Sequence, residues 1–199
     1  MIPVKHPYWH VRAVVEARPE IEAIPLSYYT YKPRTVEDAR TTWLVPAGDF
    51  LTPQYVEEAM ARTPQGQELA VHSDFHLAGG RHAHLVMVDM ATSAKAHLEK
   101  LRVFLGGHSF QRISWFASGR SFHGYGEDLL PASEWVKFMG LLLLANQPSL
   151  EPTVDPRWIG HRLMAGYAAL RWTRNTAHYL VSPSAVELAP KAAQHGPST

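Results

Sequence analysis

The chain has no cysteine, and that one absence removes disulfides, zinc–thiolate sites and thiol catalysis together. Long apolar runs are also missing. The longest, MGLLLLA at Met139–Ala145, falls far short of the roughly 20 residues that a membrane helix needs. The opening MIPVKHPYWHVR lacks the apolar stretch of a secretion signal. Together these absences lead us to expect a soluble, cytoplasmic protein with no membrane contact. No internal repeat or linker divides the chain. A hydrophobic fraction of 46% over 199 residues excludes a disordered protein and suits one domain with a sizeable core.

A surplus of either charge is absent as well, with 19 Lys+Arg against 18 Asp+Glu. The balance conceals an asymmetry. Residues 1–75 hold seven basic and ten acidic side chains, whereas residues 76–199 hold twelve and eight. Pro156–Leu180 carries four arginines and no acid. Such a stretch suits a phosphate-bearing partner, and equally suits a solvated helix face.

Periodicity and punctuation predict an α+β domain with a mixed or antiparallel sheet and flanking helices. Residues 1–67 read as an irregular lead-in, except for a helix at TPQYVEEAMART, with Thr52 as N-cap and Pro53 at its first position. A core follows over residues 68–183. QELAVHSDFHLAGGRHAHLVMVDM reads as a hairpin turning at Gly79-Gly80, TSAKAHLEKLRVFLGG as a helix, and RISWFASG as a strand. SEWVKFMGLLLLANQP reads as a helix capped by Ser133, and PRWIGHRLMAGYAALRW as another. A short strand is expected near HYLV, and residues 184–199 read as a flexible tail.

One segment is oddly furnished for a turn. ASGRSFHGYG follows the apolar RISWF with a glycine, a cation, a hydroxyl and an imidazole, the donors that a phosphate wants. About thirty residues before it, HLVMVDM ends in Asp89. About thirty after it, TVD ends in Asp155. Acid, Ser-x-His, acid, in that order, resembles the archaeo-eukaryotic primase (primase-polymerase) superfamily over roughly residues 68–183. SGRSFHGYG is the most specific part of the likeness, and ALRWTRNT is similar to a late segment of that family.

The resemblance implies an RRM-like catalytic core and metal-dependent nucleotidyl transfer. Asp89 and Asp155 would hold divalent Mg²⁺ or Mn²⁺ and, with His123, form the catalytic set. Arg120, Ser121, His123 and Arg171 would contact the triphosphate. Arg162, Arg171, Trp172 and Arg174 would meet single-stranded or primed nucleic acid. Its implied partners are nucleoside triphosphates, nucleic acid, and a protein such as a helicase or another replication or defence subunit. The chemistry fits these residue types, since nucleotidyl transfer uses metals held by hard carboxylate oxygens.

In one respect the chain departs from the pattern. Ala91 stands where the family's first motif has its second acid, so the expected cage is one carboxylate short. Asp74 is no substitute. With a turn at Gly79-Gly80 it falls opposite Leu85, roughly 13 Å from Asp89 at about 3.3 Å per residue. The alternative function is a catalytically degenerate primase-fold subunit, or a module that senses nucleotide or binds nucleic acid.

Each residue also has an ordinary reading. Asp155 before Pro156 is a good helix N-cap, Asp89 suits a turn, and Arg162 and Arg171 suit carboxylate partners. His72, His76, His82 and His84 cluster in sequence like a transition-metal site, although no common face is evident. Trp115 and Trp135 read as core, leaving Trp172, beside Arg171 and Arg174, as the tryptophan for base stacking.

Overall fold

In the computed structural model, which describes residues 1–188, the segment read as a lead-in is built into the sheet. After α1 (Tyr8–Glu16), β1 (Ile21–Tyr29) runs through the middle of the sheet and pairs with three other strands. β2 (Arg40–Pro46) lies along one side of it. Two short helices follow, α2 (Ala47–Phe50) and α3 (Pro53–Ala61). Helix α3 has Pro53 at its start as expected, but Thr52 makes no side-chain cap.

The expected hairpin is present and more elaborate than its sequence suggests. Its first arm is broken at Ser73 into β3 (Glu68–His72) and β4 (Asp74–Leu77), both paired with β1. Beyond the break the two pieces part company. β4 pairs with β5 (Arg81–Asp89), while β3 pairs with β8 (Ala169–Arg171). Ser73 holds the fork: its N–H donates to Ala168 O at 2.8 Å, its Oγ accepts from Ala168 N at 2.9 Å, and its O accepts from Leu85 N at 2.8 Å. Pro25, which has no N–H to give, lies between the part of β1 paired to β4 and the part paired to β3.

Past β5 come α4 (Lys95–Leu105), α5 (Gly107–Gln111), β6 (Ile113–Ala117) and β7 (Phe122–Leu130). α6 (Ala132–Leu144) starts one residue before Ser133, which does not cap it, and α7 (Pro156–Ala165) is shorter than its periodicity suggested. Gly166, at φ 81°, takes the left-handed conformation that ends α7. Ala169–Arg171 is therefore strand rather than helix. HYLV is not a strand, and β9 (Ser184–Ala185) instead pairs with β6. The rest of the expected tail, residues 189–199, lies outside the described residues.

Among the described residues all nine strands pair antiparallel in one helix-flanked sheet, so the α+β expectation holds and the mixed option falls away. A continuous core runs from Tyr8 and Val11 of α1 through Leu85 and Met87 of β5 to Trp135 and Met139 of α6. No helix among the described residues is long and apolar enough to cross a membrane.

Two glycines of SFHGYG serve the core rather than a phosphate. A Cβ on Gly124 would sit 2.8 Å from Ile113 and 2.9 Å from Trp115, and one on Gly126 would sit 2.7 Å from Val86. Gly124→Ala should cost about 1–3 kcal/mol of stability, read from the urea midpoint, with no direct effect on ligands.

Candidate active site

Side chains alternate along a strand, so Leu85, Met87 and Asp89 share one face of β5. Asp89, last in the strand, is registered opposite His123 of β7. The third motif joins them by backbone. Met90 bridges Val154, and Asp155 N donates to Asp89 O at 2.9 Å. Asn146, just past α6, fixes that segment: its Oδ1 accepts from Thr153 N and Val154 N, and its Nδ2 donates to Val154 O at 2.9 Å. Three motifs far apart in sequence thus meet in one cleft of about 320 Å³.

Within the cleft, Ser121 Oγ donates to Asp89 Oδ1 at 3.2 Å, and His123 Nε2 lies 3.8 Å from the same oxygen. The turn carrying Ser121 is closed by Ser118, whose N–H donates to Ser121 O at 2.9 Å and whose Oγ meets Ser121 Oγ at 2.9 Å. Gly119 allows this turn with φ 106°, and a Cβ there would crowd Val181 at 3.3 Å. Arg120 is exposed at the tip and lines the cleft.

Electrostatics distinguish the two acids. Burial, and then the charge of Asp155, push the Asp89 carboxyl up to about 8. Asp155 is also the helix cap that its sequence allowed: Oδ1 accepts from Arg157 N at 2.8 Å and Trp158 N at 3.1 Å. Its other oxygen has no hydrogen-bond partner among the described residues. Burial, aided by the charge of Arg171, drives His123 down to about 3. The imidazole is neutral, with one nitrogen available as a donor and one as an acceptor.

The other expected residues are placed differently. Arg171 lines the cleft, but its guanidinium is engaged by the protein: Nη2 donates to Ser118 O at 2.9 Å, Nη1 donates to Thr173 O and Val181 O, and the group stacks 3.9 Å above Tyr179. It pins the Ser118–Ser121 turn and adds charge to the site. Arg162 also lines the cleft, yet it is buried and paired with Asp38, not a surface cation. Trp172 is 1% exposed and packs edge-on against His6 and Tyr8, so it cannot stack on a base. Its neighbour Arg171 faces the cleft, and strand alternation turns Trp172 into the core. Trp158, instead, reaches the cleft, with Nε1 donating to Ala169 O at 3.0 Å. Arg174 is exposed and lies outside the cleft lining.

The small polar residues of TRNT close on Glu68 rather than on a ligand. This buried carboxylate accepts from Thr173 Oγ1, from Asn175 N at 2.8 Å and from Thr176 N at 2.8 Å. The loop so anchored presents His178 and Tyr179 to the cleft. The four sequence-clustered histidines do not converge. His72 bonds Ser27, His84 bonds Ser73, and only His76 and His82 touch. No group of three His, Cys, Asp or Glu among the described residues is arranged to hold a metal.

Asp74 lies opposite His84, one residue from the expected register and still far from Asp89 along the strand. Ala91 is exposed and lines the cleft, its N–H donating to Thr153 O at 3.1 Å. The position of the missing acid therefore does face the site. Asp89 and Asp155 are the motif carboxylates that could contribute ligands to a divalent ion. They do not by themselves make a cage for two.

Sequence reasoning missed an entire wall of the cleft. Tyr29, Tyr31, Asp38 and Arg40 come from the segment read as a lead-in. Its clustered tyrosines and cations, SYYTYKPRT, were the available signal.

The archaeo-eukaryotic primase 1D-like (AEP-like) family model matches residues 48–184. Comparisons with curated proteins and with solved structures found no match. The matched span exceeds half the chain and contains all three motifs. On that match, and with an α+β antiparallel-sheet architecture that agrees with it, the chain belongs to the archaeo-eukaryotic primase superfamily and carries a primase-like domain.

Proposed function

We propose that the cleft binds a nucleoside triphosphate with Mg²⁺ or Mn²⁺ and transfers the nucleotide to a nucleic-acid strand. The observation that carries this reading is the meeting of Asp89, Ser121, His123 and Asp155 in one cleft from three separate motifs. Asp89 and Asp155 would hold the metal, which would neutralise charge on the phosphates and align them. The Ser121 hydroxyl and neutral His123 would donate to phosphate oxygens, and the exposed Arg120 would add a cation at the mouth. In the transfer, a strand hydroxyl oxygen bonds to the α-phosphorus, the α–β bond breaks, pyrophosphate leaves, and the hydroxyl proton passes to solvent.

Ala91 favours a second reading, in which the same site binds nucleotide without transferring it. Both readings predict binding, and only the first predicts incorporation. Nucleoside triphosphate with Mn²⁺, at a hundredfold excess over its dissociation constant, should stabilise the fold by about 2.7 kcal/mol. Ser121→Ala and His123→Ala should each reduce that gain in a thermal melt. Equal gains in wild type and both variants would remove the triphosphate assignment.

A further inference from the structure

Elsewhere in the cleft lining, two arginines, Arg162 buried and Arg40 half-buried, share one acid. Arg40 Nε donates to both oxygens of Asp38 at 3.0 Å, and Arg162 Nη2 donates to Asp38 Oδ2. The arginine side chains are 9% and 3% exposed, against 24% for Asp38. Arg40 also donates to Ser27 Oγ at 3.1 Å and lies over Tyr29. Arg162 Nη1 is buried with no hydrogen-bond partner among the described residues.

No neighbouring group restores the balance. Glu37 is paired with Lys32 in the same loop. His72, bonded to Ser27, is neutral, because burial first and then Arg40 and Arg162 push it down to about 3. Asp74 approaches His72 at 3.8 Å and touches neither guanidinium. One unit of positive charge is left unanswered in a poorly solvated wall, an arrangement that costs stability until an anion arrives.

We propose that Arg40 and Arg162 form a phosphate subsite, occupied in the free protein by Asp38 and opened when a phosphate group displaces it. Two guanidinium forks converging on one point match the several acceptors of a phosphate better than the two oxygens of a carboxylate. Asp38 is the member free to leave. It is the most exposed of the three and sits on the irregular segment between β1 and β2, whereas the arginines are fixed on β2 and α7. Outside this trio, side-chain ties of that segment to other cleft residues include one Arg157–Thr35 O bond and the stacking of Tyr31 on His178. Asp38 and Arg40 precede residues 48–184, so half of the subsite comes from outside the family match.

The inference rests on the reading of the cleft as a nucleotide and strand site. The phosphate belongs either to the strand or to the nucleotide, and two probes separate these sources. Binding of a fluorescent single-stranded oligonucleotide and of a fluorescent Mn²⁺–nucleoside triphosphate would be titrated against wild type, Asp38→Asn, Arg40→Gln and Glu37→Gln. Asp38→Asn should tighten one probe by about tenfold and Arg40→Gln should weaken the same probe by a similar factor, as expected for a charge-assisted contact. Glu37→Gln makes the same charge change in the same loop and should move affinity by less than about twofold. The oligonucleotide responding assigns the subsite to the strand, and the triphosphate responding assigns it to the nucleotide.

Asp38→Asn leaves two guanidiniums without a carboxylate. Should it fail to fold, Arg40→Gln decides alone, since it leaves one arginine with one acid. Wild-type binding unchanged by Arg40→Gln for both probes, or Glu37→Gln matching Asp38→Asn, overturns the subsite and leaves the wider reading standing. Wild type binding neither probe overturns both.

Discussion

Nucleotide incorporation by Asp89→Ala is expected to fall by at least about a hundredfold, while the ligand-free protein melts at a higher temperature than wild type. The first effect follows if Asp89 holds the metal, whose charge stabilisation of phosphoryl transfer amounts to several kcal/mol. The second follows from the setting of the carboxyl, half-buried in the cleft, raised by desolvation and by the charge of Asp155, with one hydroxyl donor. A structural carboxylate would give the opposite sign. A fall in melting temperature together with unchanged incorporation would show that Asp89 serves the fold and not the chemistry.

The converse substitution, Ala91→Asp, adds a carboxylate to the same cleft. Mn²⁺ binding, followed by electron paramagnetic resonance, should tighten by about tenfold or more, as expected for a hard cation gaining an oxygen ligand. Tighter binding with no incorporation in either protein would favour the nucleotide-sensing reading. Unchanged affinity in a folded variant would remove the motif assignment at Asp89.

Stability should pass through a maximum near pH 7 and fall steeply on the acid side. Burial is the first cause that pushes His6 and His84 to about 4, and His72 and His123 to about 3. All four are depressed, so between those values and the unfolded value near 6.5 the unfolded chain binds protons that the native state refuses. Asp74 and Asp89 act in reverse, raised by burial to about 6 and about 8, and near pH 5 they hold two protons only in the native state. Four against two leaves the unfolded chain ahead by two, a loss on the order of 2–3 kcal/mol for each pH unit of acidification. Summed down to pH 4 the loss is about 6 kcal/mol, so a domain at the low end of the usual range of about 5–15 kcal/mol should unfold near that pH. Above about pH 7.5 the histidine contribution is complete, and stability declines as Asp89 is forced to ionise through about pH 8. Asp89→Asn should abolish that alkaline decline and steepen the acid limb, since four histidines then stand against Asp74 alone. A flat denaturation free energy between pH 5 and 7 would mean that these histidines are more hydrated than their burial implies.

The chemistry-bearing motifs were legible because their residue types are unusual for turns and strand ends, and Asp89, Ser121, His123 and Asp155 do meet. The part of the cleft contributed by residues 29–40 was not. β1 is covered on both faces and contains Pro25, so IEAIPLSYY shows neither alternation nor an unbroken run. Only its partners reveal why a proline is tolerated there. Trp172 was misplaced for a related reason. Beside two arginines it looks like a nucleic-acid contact, but the direction of its side chain depends on β8 being a strand, and a helix was the natural continuation of PRWIGHRLMA. Gly166 was the stop signal. Asn146 and Glu68 carry no sequence signal of their own, because a positioning residue is recognisable only from what it positions.

Asp155 answers to two masters, capping α7 with one oxygen while it also lines the cleft. A descendant of this chain that lost all catalysis would still be selected to keep Asp, Asn, Ser or Thr there, because the helix start needs an acceptor. Its presence is therefore weak testimony to activity. Asp89 has no such refuge. Mutation and selection should tend to remove a group that burdens the fold and serves nothing else, so in any lineage of this protein the fate of Asp89, rather than of Asp155, will record whether the site is in use.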